Sequence, residues 1–159
     1  MTQSSGLSSI TLSEARAYQN DVLFDLISFV PTDVVTGGMS GPIDRMHAMT
    51  CDWSERPAEK LTGSAEEIFL PGGYDVEVAS DISVDALFDE VQAAYAERPG
   101  WEVSSTGESR ERVVALVSPE GYTFYLESYT PTATTLRVSA SSFSPCFSAP
   151  TGFDRFETY

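Results

Sequence analysis

The side chains able to do chemistry are few and scattered. His47 is the single histidine. A Ser–His–Asp or Cys–His centre would have to use it, yet no serine sits in the glycine-flanked turn that presents a nucleophile. Cys51 and Cys146 belong to no Cys-x-x-Cys pair or Cys/His cluster, so zinc and thioredoxin-type redox chemistry lack their ligand spacing. The acidic neighbours Glu66-Glu67 and Asp89-Glu90 are adjacent along the chain and read as solvated charge. There is no glycine-rich phosphate loop, no His-Glu-x-x-His and no calcium-loop spacing of acids. The expectation is a protein that is not an enzyme and holds no cofactor and no metal. Convergence of distant carboxylates is the one catalytic arrangement that spacing leaves open.

The two cysteines have another use. A bond between Cys51 and Cys146 would close a loop of about 95 residues, a constraint on the unfolded chain that stabilises by up to about 4–5 kcal/mol. Two unrelated buried thiols are the alternative. The disulfide is favoured, and it places the chain in an oxidising compartment: extracytoplasmic, in the cell envelope or secreted.

Charge narrows the partners. Twenty-four acidic residues face nine basic ones, for a net charge of −15. Phosphate backbones and anionic lipid would repel such a chain, which argues against nucleic acid and polybasic membrane binding. A basic protein surface remains compatible, and the acidity also keeps a protein soluble. No apolar run approaches the roughly 20 residues that span a bilayer. The most apolar stretch, Val22 to Val30, is broken by Asp25, ended by Pro31 and lacks the basic flank of a signal peptide. An exported form would carry its targeting segment, and any lipid anchor, upstream.

The elements that must position these side chains are better marked. Thr11-Leu-Ser-Glu14 matches a capping box and predicts a helix to about Val30. Ala15, Tyr18, Val22, Leu26 and Phe29 form its stripe, widened by Leu23, Ile27 and Val30. A second helix is predicted over 84–98. There Val84, Leu87, Phe88, Val91, Ala94 and Tyr95 share one face, Ser83 caps the start and Pro99-Gly100 stops propagation. Strands are expected near 74–79, 101–106, 112–118, 122–130 and 134–143, with a tight turn at Ser118-Pro-Glu-Gly121. Residues 1–10 read as a flexible leader, 11–159 as a single domain, and 31–50 as a mobile loop within it. Ile68-Phe-Leu70 reads as a short strand at the sheet edge. Cys51-Asp-Trp53 is expected to begin or edge a strand, with Trp53 packed beside the disulfide. The aromatic tail with Phe147, Phe153, Phe156 and Tyr159 is expected to fold back over the sheet or to meet another copy of the chain.

Alternation then predicts a surface. Tyr122, Phe124 and Leu126 point one way; Tyr125, Glu127 and Tyr129 point the other. If helices cover the first set, the second lies on a wet face beside Arg137 of the last strand. Tyrosine and arginine are the types favoured at binding sites, so Tyr125, Tyr129 and Arg137 are the candidate partner-binding residues. Ordinary cross-strand pairing accounts for the same residues. A rival use is a small apolar-ligand carrier, with a pocket between helix and sheet lined by Tyr18, Phe88, Tyr95 and Trp101.

Thr11-Leu-Ser-Glu-Ala-Arg-Ala17 opening a helix, Pro31 ending it, a first cysteine near position 50, Pro99-Gly-Trp101 and Ser144-Pro-Cys-Phe147 resemble the soluble parts of small actinobacterial cell-envelope lipoproteins. That resemblance covers roughly 11–147. It implies tethering outside the cytoplasm through a lipidated N-terminal cysteine, an α+β fold and no assigned activity. This chain lacks the signal peptide and lipid-attachment motif of that pattern and extends past Phe147. The reading reached is α+β: an antiparallel β-sheet with two α-helices packed on one face and a single disulfide. Its function would be that of a non-catalytic interaction domain for an as yet unknown protein or envelope component.

Overall fold

The structure, a computed structural model, describes residues 10–40, 47–51 and 67–154. The first helix, α1 (Leu12–Ser28), starts on the expected capping box: the Thr11 hydroxyl accepts from the Glu14 N–H at 3.1 Å, and the Glu14 carboxylate accepts from the Thr11 N–H at 2.9 Å. It buries Ala15, Gln19, Val22, Leu23, Leu26 and Ile27. The second, α2 (Val84–Ala96), is capped by Ser83 and buries Val84, Leu87, Phe88, Val91 and Tyr95, the face its spacing predicts.

The strands are β1 (Val35–Ser40), β2 (Met49–Thr50), β3 (Glu67–Phe69), β4 (Pro71–Val78), β5 (Glu102–Thr106), β6 (Val113–Val117), β7 (Thr123–Thr132), β8 (Thr135–Phe143) and β9 (Phe147–Ser148). Among the described residues, six of them form one sheet in the order β1-β4-β8-β7-β6-β5, with every pairing antiparallel. The meander β5 to β8 closes through local turns. One of these is the Ser118–Gly121 turn, where the Gly121 N–H donates to the Ser118 carbonyl at 2.9 Å and Gly121 takes φ +88°. The connection through α2 carries the chain from β4 to the far edge at β5.

Both helices lie on one face, α1 over β4 and β8 and α2 over β5 and β6. Beneath them Val76, Val78, Val114, Leu116, Phe124, Leu126, Leu136 and Val138 are buried. The fold is therefore α+β, as the alternating strands and amphipathic helices predict.

Cys51 and Cys146 are joined in a disulfide whose Cα atoms lie 6.2 Å apart. It sits at a small three-stranded sheet, β2-β3-β9. Here the structure corrects one expectation. Ile68-Phe-Leu70 does not edge the main sheet: β3 is central in the small one, with Ile68 facing Thr50 on one side and Phe147 on the other. The segments flanking the two cysteines supply its neighbours.

A second correction concerns 31–50, read as a loop. Thr32–Val34 is a 3₁₀ turn and Val35–Ser40 is the outer strand of the main sheet. Its glycines hid it, because Gly37 stands where a Cβ would come within 2.9 Å of the Glu77 side chain. Residues 41–46 lie outside the described set. So do most of the 1–10 leader, Trp53, Phe156 and Tyr159, while Phe147 is buried and Phe153 packs against the core.

Candidate functional site

The face of the main sheet turned away from the helices is built in rows, because directly opposed residues of antiparallel strands point the same way. One row runs Glu102, Val117, Thr123, Phe143, Pro71. The next runs Ser104, Ala115, Tyr125, Ser141, Gly73, and beyond it lie Glu127, Ser139, Asp75 and Ser40. The last holds Tyr129, Arg137 and Glu77. Most of these side chains are half-buried, and Tyr129 is 42% exposed.

All three sequence-predicted residues, Tyr125, Tyr129 and Arg137, lie on this open face, but they do not form one group. Tyr129 and Arg137 are cross-strand partners that meet on Asp75. The Tyr129 hydroxyl donates to one Asp75 oxygen at 2.8 Å, while Arg137 donates to the other through Nη2 at 2.5 Å and Nε at 3.2 Å. Glu77 lies 3.6 Å from the same guanidinium, and the Gly38 carbonyl and Ser40 hydroxyl accept from it as well. Burial works against the charged form of Asp75, yet the bonds from Arg137 and Tyr129 outweigh it and hold the carboxyl below its ordinary value. Burial first, and Asp75 second, push the Tyr129 phenol up. Arg137 is thus a fastened charge, with its donors committed inside the sheet.

Tyr125 belongs to the other end. Its ring stands edge-on to Phe143 with centroids 6.1 Å apart, and Phe143 meets Phe69 of the small sheet at 6.0 Å. The floor around Tyr125 is small: Ala115 on one side, Ser141 on the other. Phe143, Phe69 and Asp75 were not among the predicted site residues. Alternation along β8 from Arg137 puts Phe143 on the same face, but only long-range contacts bring Asp75 of β4 to Arg137 and Phe69 of the small sheet to Phe143.

His47 lies exposed at the start of the short segment leading into β2. Among the described residues no three His, Cys, Asp or Glu side chains group as a metal site. Among the same described residues no helix is long and apolar enough to cross a membrane. The four residues proposed to line a carrier pocket are packed into ring contacts or the core. Tyr95 meets Trp101 edge-on at 4.8 Å, Trp101 meets Phe124 at 6.0 Å, and Tyr18 lies 4.4 Å from Tyr122. Phe88 is fully buried. The Tyr18 hydroxyl is tied to Glu120 at 2.7 Å, and burial together with that carboxylate pushes its pKa up to about 12.

Comparison of the chain with protein-family models, with curated proteins and with solved structures returns no match.

Proposed function

We propose that this chain is a non-catalytic binding domain that works outside the cytoplasm, in the cell envelope or as a secreted protein, and engages a protein or envelope component through the open face of its six-stranded sheet. The observation that carries the reading is the asymmetry of that sheet. Two helices seal one face, while the other presents half-exposed tyrosine, phenylalanine, serine and carboxylate side chains. The disulfide supports the compartment, since such bonds persist where thiols are not kept reduced. The resemblance to actinobacterial envelope lipoproteins supports a lipid anchor upstream. The carrier alternative has less in its favour, because the residues that would line its pocket already touch one another or lie in the core.

The test is site-specific photo-crosslinking in the living host. A benzoylphenylalanine at position 125 is expected to yield discrete adducts. The same group at position 24, on the outer surface of α1, is expected to yield none. Equal adducts from both positions, or none from position 125, would reject the open face as the working surface.

A further inference from the structure

Resting on the reading of the open face as a binding surface, we infer that its partner is cationic: a lysine- or arginine-bearing segment of another protein. The argument is one of uncommitted charge. Every described arginine is engaged within the fold. Arg16 donates to the Pro71 carbonyl, Arg98 to Asp25, Arg110 to the Ser80 carbonyl, Arg112 to Asp85, and Arg137 to Asp75. On the open face the carboxylates of Asp75 and Glu77 are bound to Arg137. Glu102 and Glu127 are exposed and make no hydrogen bond or ion pair with any described residue. Among the described residues, this face therefore offers a visitor negative charge with no uncommitted positive counterpart.

The placement of that charge matters as much as its sign. Tyr125 stands on the small-residue row, with Phe143 and Val117 on one flank and Glu127 on the other. A lysine or arginine can lay its aliphatic stem along the aromatic flank while its charged end reaches a carboxylate. The Tyr125 ring face adds attraction for the cation. A second copy of the chain fits poorly, since it would bring Glu102 and Glu127 near their equivalents on a molecule of charge −15. Polyanions and anionic lipid meet the same repulsion.

The experiment titrates deca-lysine, and a serine–glycine decapeptide as control, into isotope-labelled protein while backbone amides are followed by NMR. Deca-lysine is expected to shift amides of β6, β7 and β8 around Tyr125 and Glu127, weakening severalfold between low and physiological salt. Glu102→Gln with Glu127→Gln should weaken binding by roughly fivefold or more, while Glu90→Gln with Glu97→Gln, exposed on α2 and at its C-terminal cap, leaves it unchanged. Equal weakening by both pairs, or shifts spread over α2, would reduce the effect to net charge and overturn the inference. Concentration-dependent dimerisation through the same face would overturn it in favour of a second copy.

Crosslinking at position 125 in the host separates this inference from the reading beneath it. Adducts lost in Tyr129→Ala but kept in the double glutamine variant mean that the face binds a partner that is not cationic. Adducts at neither position 125 nor any open-face site remove both.

Discussion

The molecule contains the same three side chains twice, once on each side of the sheet. On the helix side Asp25 of α1 takes the Tyr95 hydroxyl at 2.6 Å and the Arg98 guanidinium at 2.8 Å, both on one oxygen. That guanidinium also lies 3.9 Å from the centre of the Tyr95 ring. On the open side Asp75 takes Tyr129 on one oxygen and Arg137 on the other. The polar chemistry is nearly identical, yet the surroundings of the rings differ. Tyr95 has no exposed surface and packs against Trp101 and Phe29, whereas Tyr129 is 42% exposed. The first cluster ties two helices together through a ring already fixed by the core. The second is held only by its own sheet, so its tyrosine ring stays open to solvent. Burial of the ring, rather than the hydrogen bonds, separates a structural cluster from a surface one.

Removing the disulfide should have the largest effect and should not distinguish the two clusters. Cys51→Ser with Cys146→Ser frees a loop with a sequence separation of 95, and the chain-entropy model gives a loss of up to about 4–5 kcal/mol. Because that loss acts mainly on the unfolded chain, both clusters should keep their native NMR environments. Disruption confined to one of them would show that the bond supports that side locally.

Truncating the two tyrosines tests the comparison directly. Tyr95→Ala opens a cavity in the core and should cost about 3–5 kcal/mol in urea unfolding. Tyr129→Ala should cost about 1 kcal/mol or less, as for other exposed cross-strand pairs. Equal losses would break the distinction drawn from ring burial.

The helix-side cluster sits between elements that are legible in the sequence, because their signals are local. Val84, Leu87, Phe88, Val91 and Tyr95 mark a helix face within thirteen residues, and Tyr122, Phe124 and Leu126 mark a strand face within five. The open-face cluster was only half legible. Tyr129 and Arg137 share a hairpin and could be paired, but Asp75 enters from β4, 62 residues from Arg137. No local pattern sets that register. The strand expected from about position 74 starts at Pro71, so Gly72 lies within β4 opposite Ser142, where a Cβ would come 2.5 Å from the Ser142 hydroxyl. Gln19 was passed over in the apolar stripe of α1 although it is fully buried. Its amide donates to the Leu70 carbonyl at 2.6 Å, a partner supplied by the segment before β4.

A pair of glycines extends the comparison to the backbone at a smaller scale. Gly72→Ala sets a methyl group against Ser142 beneath α1, and overpacking there should cost about 1–3 kcal/mol. Gly38 in β1 has nothing within 4 Å of its Cβ position, so Gly38→Ala should be neutral or stabilise by up to about 1 kcal/mol. Thermal melts of the two variants check both signs. A destabilising Gly38→Ala would mean that the β1 edge is as tightly built as the helix side.

The smallest effect is read from acid titration of the open-face cluster. Burial of Asp75 raises its pKa and the bonds from Arg137 and Tyr129 lower it, with a net shift downward. A carboxyl whose folded pKa lies below its unfolded value near 4 binds fewer protons in the native state. Its stabilisation is therefore complete above about pH 4 and disappears as the pH falls through the lower folded value. Because the pair keeps some contact with solvent, Arg137 being 16% and Asp75 24% exposed, screening should hold the total to the order of 1 kcal/mol. Asp75→Asn should flatten the acid limb of stability against pH, and Tyr129→Phe, which removes one of its bonding partners, should flatten it partway. If the acid limb of Asp75→Asn overlays that of the parent chain, the open-face cluster contributes nothing to folding, and its alignment has to come from the strand register alone.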